Sequence, residues 1–511
     1  MAHEKAGKKK LTVGVDGVAG LRGLSLRLSL RDSETGELVS EYERDIHGDG
    51  TFACPVNIPR LGFFDYEVSI LKNGEDVIAF ESSNVSVVPR RVKGGISDFA
   101  VSTHFAQGKG RLPYSMDLIS MAGFSTIRDE IYWRDVEKRP GVFDFPAKYD
   151  EYIGEAGKYG ISPLVLLGYG HPMVSPYVER GFPVDDRGRA QFVNYVRNVV
   201  GRYCGRVKRW ELWNEPQPSS GLDPETVYLP LLEDVYEAIK EISPDALVLA
   251  SGGAPNHVDG AFVRPLLSNG GAASMDGFAM HTYVAPNTPE LGYATPTCPT
   301  FKVASVPTMW TVYGEIADRY SNRGKAPEAW VTEMGWYVTP RSGQETPGGS
   351  AIFIDGLRQA AYAARLFLLS RRYGTVRSVC LYDFQNDGID PDEKEDNFGM
   401  ITMDFAPKES FSAISVLANT LTEKRFVEAV VEKDETKVYR FSGDDGEIMA
   451  MWNVNKAEAP LEGRTAGTVS LRLDRHRVTV VDWQGKSTEY KSESGVFNLP
   501  LTENPSYIIL K

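Results

Sequence analysis

Two glutamates in this 511-residue sequence stand in segments that could do chemistry. Glu215 follows Trp213 and Asn214, and Glu333 is followed three residues later by Trp336. Glutamate is seldom buried unless it is paired or functional. Two glutamates that are each flanked by tryptophan are hard to explain as packing, so we predict that Glu215 and Glu333 are catalytic.

A pair of carboxyl groups in one groove can do acid–base chemistry if one holds a proton while the other is ionised. Burial and mutual repulsion produce this difference, because both raise the pKa of one member of the pair. Cleavage of a glycosidic bond requires such a pair: one group protonates the leaving oxygen, and the other attacks or activates water. Sugar rings also have apolar faces that stack on tryptophan and tyrosine.

The elements that must position this pair are eight repeats of a short apolar strand and an amphipathic helix, from about residue 96 to residue 420. The predicted strands are Asp98–Ser102, Ser125–Arg128, Pro163–Leu167, Val207–Trp213, Ala246–Ala250, Gly277–Met280, Ala329–Thr332 and Ser378–Tyr382. The predicted helices are Tyr114–Ala122, Tyr149–Lys158, Gln191–Tyr203, Val227–Ile242, Phe262–Leu267, Thr311–Arg319, Ile352–Arg372 and Phe411–Thr420. Eight units predict an α/β fold, a parallel (β/α)8 barrel. A doubly wound sheet is the alternative, but no Gly-x-Gly-x-x-Gly follows the first strand.

The C-terminal ends of the strands of such a barrel meet at one mouth, where chemistry takes place. Glu215 follows the fourth predicted strand and Glu333 the seventh. The other candidates for substrate contact at strand ends are Trp133, Trp336, Tyr283, Tyr382, His104 and His171. An incidental position is the alternative for the two histidines, and for Arg128, at the end of the second predicted strand, a structural salt bridge is an alternative to a role in the site. Glu211 is predicted to be the buried partner of an arginine.

Both ends of the sequence have the alternating pattern of β-strands. Four leucines, Leu24 to Leu30, alternate with polar residues, and Asn73-Gly74 is typical of a hairpin turn. We predict an immunoglobulin-like β-sandwich over residues 1–95, the barrel over 96–420 and a second β-sandwich over 421–511.

The composition, 42% hydrophobic and 24% charged, excludes a disordered chain. The net charge of −13 disfavours nucleic acid as a partner. No apolar run approaches the roughly 18 residues of a membrane span. The first residues lack the apolar core of a signal peptide, so the protein is either cytoplasmic or exported with its signal removed. A secreted or periplasmic location is the prediction, because the glycans that such a pair of glutamates would cleave are mostly extracellular, and the cytoplasm is the alternative.

No cofactor or metal is predicted. A metal-dependent hydrolase barrel needs a His-x-His on its first strand, and Ser102–His104 contains one histidine. The acidic loop from Asp387 to Asp396 could bind Ca²⁺ through its oxygens, and a solvated loop or the rim of a site for a cationic substrate is the alternative. The oligomeric state is not predicted.

The segments around the two glutamates resemble the acid/base and nucleophile motifs of clan A retaining glycoside hydrolases. Trp213–Pro216 and Thr332–Trp336 carry this resemblance. Pro140–Phe145 resembles the Pro-Gly-x-aromatic-Asp-aromatic step of several of those families. Asn397–Met400 and the later Pro407-Lys408 are similar to glycoside hydrolase family 39 and its family 5-like neighbours. The resemblance covers the whole barrel.

The resemblance implies that Glu215 is the acid/base and Glu333 the nucleophile, which forms a covalent glycosyl-enzyme that water hydrolyses with retention. The implied partner is an oligo- or polysaccharide. A transglycosylase with the same site and a non-catalytic carbohydrate-binding barrel are the alternatives. The sugar, the linkage and the choice between chain ends and interiors are not predicted.

The resemblance also implies roles for neighbouring residues. Asn214 would bind the 2-hydroxyl of the sugar, Arg128 would keep Glu333 ionised, and Tyr283 would donate a hydrogen bond to Glu333. His281 would lie near the acid/base. One departure is Tyr382, which stands where many clan members have the tryptophan that forms the floor of the sugar site.

Overall fold

The computed structural model describes residues 2–3, 6–89, 96–172, 181–216, 221–253, 260–292, 304–321, 326–338, 344–345, 351–352, 354–454 and 467–510. Three regions follow one another along the chain: mainly antiparallel sheets, a closed parallel barrel and further antiparallel sheets.

The N-terminal region forms two sheets. Its strands are β1 (Ala2–His3), β2 (Gly7–Val15), β3 (Leu24–Asp32), β4 (Leu38–Ile46), β5 (Gly50–Ile58), β6 (Gly62–Lys72) and β7 (Asp76–Val87). One sheet has the order β1-β7-β6-β3-β4, and β2 pairs with β5 in the other. The leucines from Leu24 to Leu30 are buried, as their alternation predicts. Asn73 has a φ of 54° in the turn between β6 and β7, which is the conformation that favours asparagine there.

The central region contains the barrel. Its strands are β8 (Ile96–Ser102), β9 (Phe124–Tyr132), β10 (Glu137–Arg139), β11 (Val142–Phe143), β12 (Ser162–Gly168), β13 (Arg209–Leu212), β14 (Leu247–Ser251), β15 (Gly277–His281), β16 (Glu328–Met334), β17 (Gln344–Glu345), β18 (Ala351–Ile352) and β19 (Ser378–Leu381). The pairs β10–β11 and β17–β18 are separate hairpins, and the other eight strands close a barrel in the order β12-β13-β14-β15-β16-β19-β8-β9. The predicted (β/α)8 barrel is confirmed.

A helix follows each barrel strand. The helices are α1 (Tyr114–Ala122), α2 (Trp133–Val136), α3 (Ala147–Lys158), α4 (Asp186–Tyr203), α5 (Leu229–Ile242), α6 (Val263–Ser268), α7 (Val306–Arg319), α8 (Gly356–Tyr373) and α9 (Glu409–Leu421). The predicted start of α8 at Ile352 is wrong, because Ile352 lies in β18. The Asp355 side chain accepts from the Arg358 N–H and starts the helix at Gly356. None of the described helices has the length and apolar character needed to cross a membrane.

The C-terminal region again forms two sheets. Its strands are β20 (Arg425–Glu432), β21 (Thr436–Gly443), β22 (Gly446–Asn453), β23 (Gly467–Arg472), β24 (Arg477–Val481), β25 (Ser487–Lys491), β26 (Val496–Leu501) and β27 (Ser506–Leu510). Six of them form one sheet, β20-β21-β22-β27-β24-β25, and β23 pairs with β26. These sheets are consistent with the predicted flanking β-sandwiches. The domain limits stay predictions: residue 95 lies outside the described residues, and residue 420 falls in the last turn of α9.

All three regions contact one another. Phe63 of β6 and Trp483 between β24 and β25 pack together with Ala360 and Ala413 of the barrel helices. The indole N–H of Trp452 in β22 donates to the barrel residue Glu290 at 2.8 Å. The barrel is therefore supported from outside by both sheet regions, while its mouth carries the residues described next.

Candidate active site

Glu215 follows β13 after a sharp turn of the chain. Trp213 and Glu215 have φ angles of 64° and 47°, a backbone conformation that residues other than glycine rarely adopt and that is often held at functional sites. The buried ring of Trp213 packs against Phe182 with ring centres 4.7 Å apart. The Trp213 N–H donates to the Leu167 carbonyl of β12. These contacts hold Glu215 at the mouth of the barrel.

Glu333 lies in β16, and both glutamates line a cleft of about 610 Å³. One carboxylate oxygen of Glu215 lies within 4.8 Å of one oxygen of Glu333. Retaining glycosidases hold their two carboxyl groups about 5–5.5 Å apart, whereas inverting enzymes need about 6.5–9.5 Å to admit a water molecule. The pair therefore has the short spacing that suits direct attack by one carboxylate.

Arg128 in β9 contacts β13, the strand that Glu215 follows, and β16, the strand that contains Glu333. Its guanidinium donates to Glu333 Oε1 at 2.7 Å, to Glu211 Oε2 at 2.7 Å and to Asn214 Oδ1 at 2.8 Å. Burial lowers the pKa of Arg128, but the charges of Glu211 and Glu333 outweigh burial and raise that pKa well above its usual value. Arg128 is therefore a permanent cation. The buried ion pair between Arg128 and Glu211 is the arginine contact that the sequence predicts for Glu211.

His281, the last residue of β15, lies between the two glutamates. Its Nδ1 is 2.6 Å from Glu215 Oε1 and 3.4 Å from Glu333 Oε2. On the other side of the ring, Nε2 is 3.2 Å from Thr332 Oγ1, and that hydroxyl donates to Glu211 at 3.2 Å. Because the single proton of the threonine hydroxyl goes to Glu211, the ring must donate through Nε2. Burial lowers the pKa of His281, but the charges of Glu333 and Glu215 raise it overall.

Aromatic side chains form the floor of the cleft beside Glu333. The Tyr283 hydroxyl donates to Glu333 Oε2 at 3.0 Å. Tyr382 packs edge-on against Phe398 with ring centres 5.1 Å apart, and all three rings line the cleft. The backbone of Tyr382 comes close to Gly335. Only glycine fits there, because a Cβ on residue 335 would overlap the Tyr382 carbonyl oxygen. Tyr382, which by resemblance stands at the tryptophan position of many clan members, thus lines the cleft together with Phe398.

His104 lies on the cleft wall just after β8. Its Nδ1 is 2.7 Å from Asp387 Oδ1, and Lys109 Nζ contacts the same oxygen at 2.7 Å. Burial lowers the pKa of His104, but the hydrogen bond to Asp387 and the charges of Asp383 and Asp387 raise it to about 9. The ring is therefore protonated at neutral pH.

Three of the predicted substrate contacts lie outside the described cleft, and their role in substrate binding stays a prediction. Trp133 is fully buried, packs on Tyr195 and donates its indole N–H to Glu137 at 2.5 Å. His171 is buried beside Trp133. Trp336 is also buried. None of these three lines the described cleft, because packing and hydrogen bonds inside the barrel wall use their rings. At the end of β16 the next residue, Tyr337, lines the cleft instead.

Thr332 and Glu130 also have contacts in the site and were not singled out from the sequence. Thr332 lies inside a quoted motif, but its contact with His281 depends on the neighbouring strand β15. Glu130 lines the cleft two residues after Arg128. The period of two along β9 places Glu130 on the same face as Arg128, and this signal could have identified it.

Histidine and carboxylate side chains come close enough to share a cation at two places in the described part of the chain, His104–Asp383–Asp387 and Glu215–His281–Glu333. Each place already holds a cationic side chain of the protein. Lys109 contacts Asp387, and Arg128 contacts Glu333. In the acidic loop the Asp390 and Asp396 carboxylates accept backbone N–H groups of that same loop. We therefore assign no metal ion to these three places.

The sequence matches no known protein-family profile. Two curated proteins align with part of it. A 6-phospho-beta-glucosidase of Dickeya chrysanthemi is 28% identical over 197 residues, which cover 34% of this chain and 40% of that protein. A phospho-cellobiase of Klebsiella oxytoca is 30% identical over 162 residues, which cover 30% of this chain and 34% of that protein. The chain thus matches less than half of the length of these relatives.

The likeness to solved structures extends further. A family 39 glycoside hydrolase from the gut symbiont Bacteroides cellulosilyticus WH2 aligns over 100% of this chain and 98% of its own, with 29% identity and a TM-score of 0.84. A GH30 endoxylanase from Clostridium papyrosolvens C71 aligns over 82% of this chain and 97% of its own, with a TM-score of 0.55. Because the two sequences are only 14% identical, this likeness shows the fold alone. The resemblance seen in the sequence is confirmed: the chain has the fold of clan A glycoside hydrolases and is similar to a family 39 enzyme along its whole length.

Proposed function

We propose that this protein is a retaining glycoside hydrolase in which Glu333 is the nucleophile and Glu215 the acid/base. The observation that carries the proposal is the short distance between these two carboxylates, with Arg128 bound to one and His281 to the other. Hydrolysis is tested with 4-nitrophenyl glycosides and with plant, bacterial and host polysaccharides. Release of nitrophenol or reducing sugar by the wild type is the expected result, and its absence from every substrate contradicts the proposal.

In the first step, a carboxylate oxygen of Glu333 attacks the anomeric carbon. The bond from that carbon to the leaving oxygen breaks, and Glu215 gives its proton to the leaving oxygen. Arg128 stabilises the ionised form of Glu333 before attack, because a neighbouring cation favours a charged carboxylate. Asn214 is fixed by its hydrogen bond from Arg128 and presents its amide to the 2-hydroxyl of the sugar.

In the second step, water attacks the anomeric carbon of the glycosyl-enzyme. Glu215, now ionised, takes a proton from that water, and the bond between the sugar and Glu333 breaks. Two displacements at one carbon restore the original configuration. Tyr283 donates a hydrogen bond to Glu333 throughout, and this bond stabilises the carboxylate again as it leaves.

His281 acts as a positioning residue for Glu215. With Nε2–H bound to Thr332, a protonated ring also donates through Nδ1 to Glu215 Oε1. That hydrogen bond leaves the other oxygen of Glu215 to carry the catalytic proton towards the substrate. A neutral ring would instead accept the proton of Glu215 at Nδ1 and turn it away from the leaving group.

Thr332→Val is expected to shift the basic limb of the pH profile of kcat/KM to lower pH by about one unit. The valine leaves Nε2–H of His281 without its acceptor and so lowers the pKa of the ring, and losing one hydrogen bond costs about 1 kcal/mol. Thr332→Ser is the matched control, because it keeps the hydroxyl and should keep the wild-type limb. An unshifted limb in Thr332→Val would show that the hydroxyl does not position the ring.

The two catalytic glutamates and their hydrogen-bond partners favour no particular sugar. The names of the curated relatives make phosphorylated β-glucosides one candidate class, and neutral glycans are the other. A transglycosylase would share every site residue, and analysis of products formed with added acceptor sugar distinguishes it from a hydrolase. A secreted or periplasmic location stays a prediction.

A further inference from the structure

Glu130 is a carboxylate on the cleft wall that the two catalytic steps do not use. Its side chain accepts hydrogen bonds from the Tyr132 hydroxyl and from the Tyr169 hydroxyl, the latter at 3.2 Å. Among the described residues, no lysine, arginine or histidine forms an ion pair with it. A carboxylate that two phenols fix in place keeps further lone pairs for a ligand, because each oxygen accepts about two hydrogen bonds.

His104 lies in the loop that directly follows β8, the barrel strand next to the strand β9 that carries Glu130. Ser102 of β8 is in register with Arg128 of β9, and the Thr103 N–H donates to the Arg128 carbonyl at 2.9 Å. His104 comes two residues after Ser102, and Glu130 comes two residues after Arg128. Both side chains line the cleft, and no ion pair within 4.0 Å joins them. The same cleft is thus lined by a donor that follows β8 and by an acceptor on β9.

The ring of His104 has one nitrogen for a ligand. Asp387 binds Nδ1, and no described residue binds Nε2. With a pKa raised to about 9 by the hydrogen bond and charge of Asp387, the ring donates through Nε2–H at neutral pH. A donor just after β8 and an acceptor on β9 match two hydroxyl groups of a sugar, one accepting from His104 and the other donating to Glu130.

The charges of the described cleft wall disfavour an anionic sugar. Arg128 is bound by Glu211 and Glu333, and Lys394 lies 3.1 Å from Glu395. His104 and Lys109 both contact Asp387, and Asp383 lies 3.7 Å from His104 Nδ1, so two carboxylates face these two cations. Glu130 adds a negative charge that no described cation neutralises, so a phosphate or carboxylate group beside it would be repelled.

We propose that Glu130 and His104 bind two hydroxyl groups of an uncharged sugar, and that Glu130 excludes phosphorylated and carboxylated sugars. This inference rests on the proposed function, because it assigns a substrate class to the same cleft. It separates this protein from the phosphorylated substrates that the names of its two curated relatives imply.

The test compares kcat/KM of the wild type and Glu130→Gln on 4-nitrophenyl β-glycosides of glucose, galactose, mannose and xylose, on the β-glucuronide and on the 6-phospho-β-glucoside. We expect the wild type to prefer the neutral sugars. In Glu130→Gln, kcat/KM on the best neutral sugar should fall roughly 10- to 100-fold, the range for losing a hydrogen bond to a charged group. The ratio of anionic to neutral activity should rise at least about tenfold, because the repelling charge is gone. This ratio does not depend on how much of the variant is folded.

The control is Glu155→Gln, which removes one charge from α3 on the outside of the barrel and should leave both values unchanged. A wild type that prefers the glucuronide or the phosphoglucoside to the neutral parent would overturn the inference. So would a Glu130→Gln variant with wild-type kcat/KM and an unchanged ratio. Either result leaves the proposed function intact, whereas a wild type that cleaves no member of the set, neutral or anionic, counts against both.

Discussion

Glu333→Gln is expected to lower kcat by at least roughly 10⁴-fold on every substrate, which is the scale of loss when a covalent nucleophile is removed. The amide keeps the shape of the side chain but cannot attack the anomeric carbon. The substitution also removes one of the two carboxylates that contact the buried Arg128, so that Glu211 is the only carboxylate left of the two. The measurement is kcat on an aryl glycoside that the wild type cleaves, together with thermal unfolding to show that the variant is folded.

The matched control is Glu328→Gln. Glu328 lies on the same strand as Glu333 but at its opposite end, away from the cleft, and it accepts a hydrogen bond from Trp330 at 2.9 Å. This variant should keep kcat within about twofold of the wild type, the usual outcome for a change outside the site. A folded Glu333→Gln variant with near wild-type activity would remove Glu333 from the mechanism.

Glu215→Ala is expected to lower kcat about 10²- to 10⁴-fold on substrates with poor leaving groups, the range for general acid–base catalysis. Substrates with activated leaving groups need no protonation, so their first step should be nearly unaffected. The glycosyl-enzyme would then accumulate, because no base activates water. Azide needs no base and should restore turnover and give a glycosyl azide of the same configuration as the substrate.

Glu233→Ala on α5 is the control for this substitution, because it removes an exposed carboxylate outside the cleft. It should show neither the leaving-group dependence nor a response to azide. If Glu215→Ala loses activity equally on all leaving groups and azide has no effect, Glu215 is not the acid/base.

The barrel could be predicted from the sequence because its signals are local. Short apolar runs followed by amphipathic stretches indicate each strand and helix, and α1 was predicted at its observed bounds. The glutamates could be placed at the mouth because every parallel strand of a barrel ends there. The roles of these glutamates came from resemblance, since no pattern in one sequence distinguishes a nucleophile from an acid.

Side-chain contacts between strands could not be predicted in the same way. Trp133 and Trp336 lie at strand ends as expected, but their rings point into the barrel wall, and the direction of a side chain after a strand depends on the local turn. The contact of Thr332 with His281 depends on the irregular register between β15 and β16 near His281. Glu130 could have been inferred from Arg128 by the period of two, although its tyrosine partners could not.

The central claim is that two displacements occur at one carbon. Proton NMR of the first sugar released from an aryl β-glycoside tests it most directly, if spectra are taken before mutarotation mixes the anomers. The account predicts that the β-anomer appears first and the α-anomer grows in later. An α-anomer as the first product would show a single displacement by water, and would contradict the assignment of Glu333 as nucleophile.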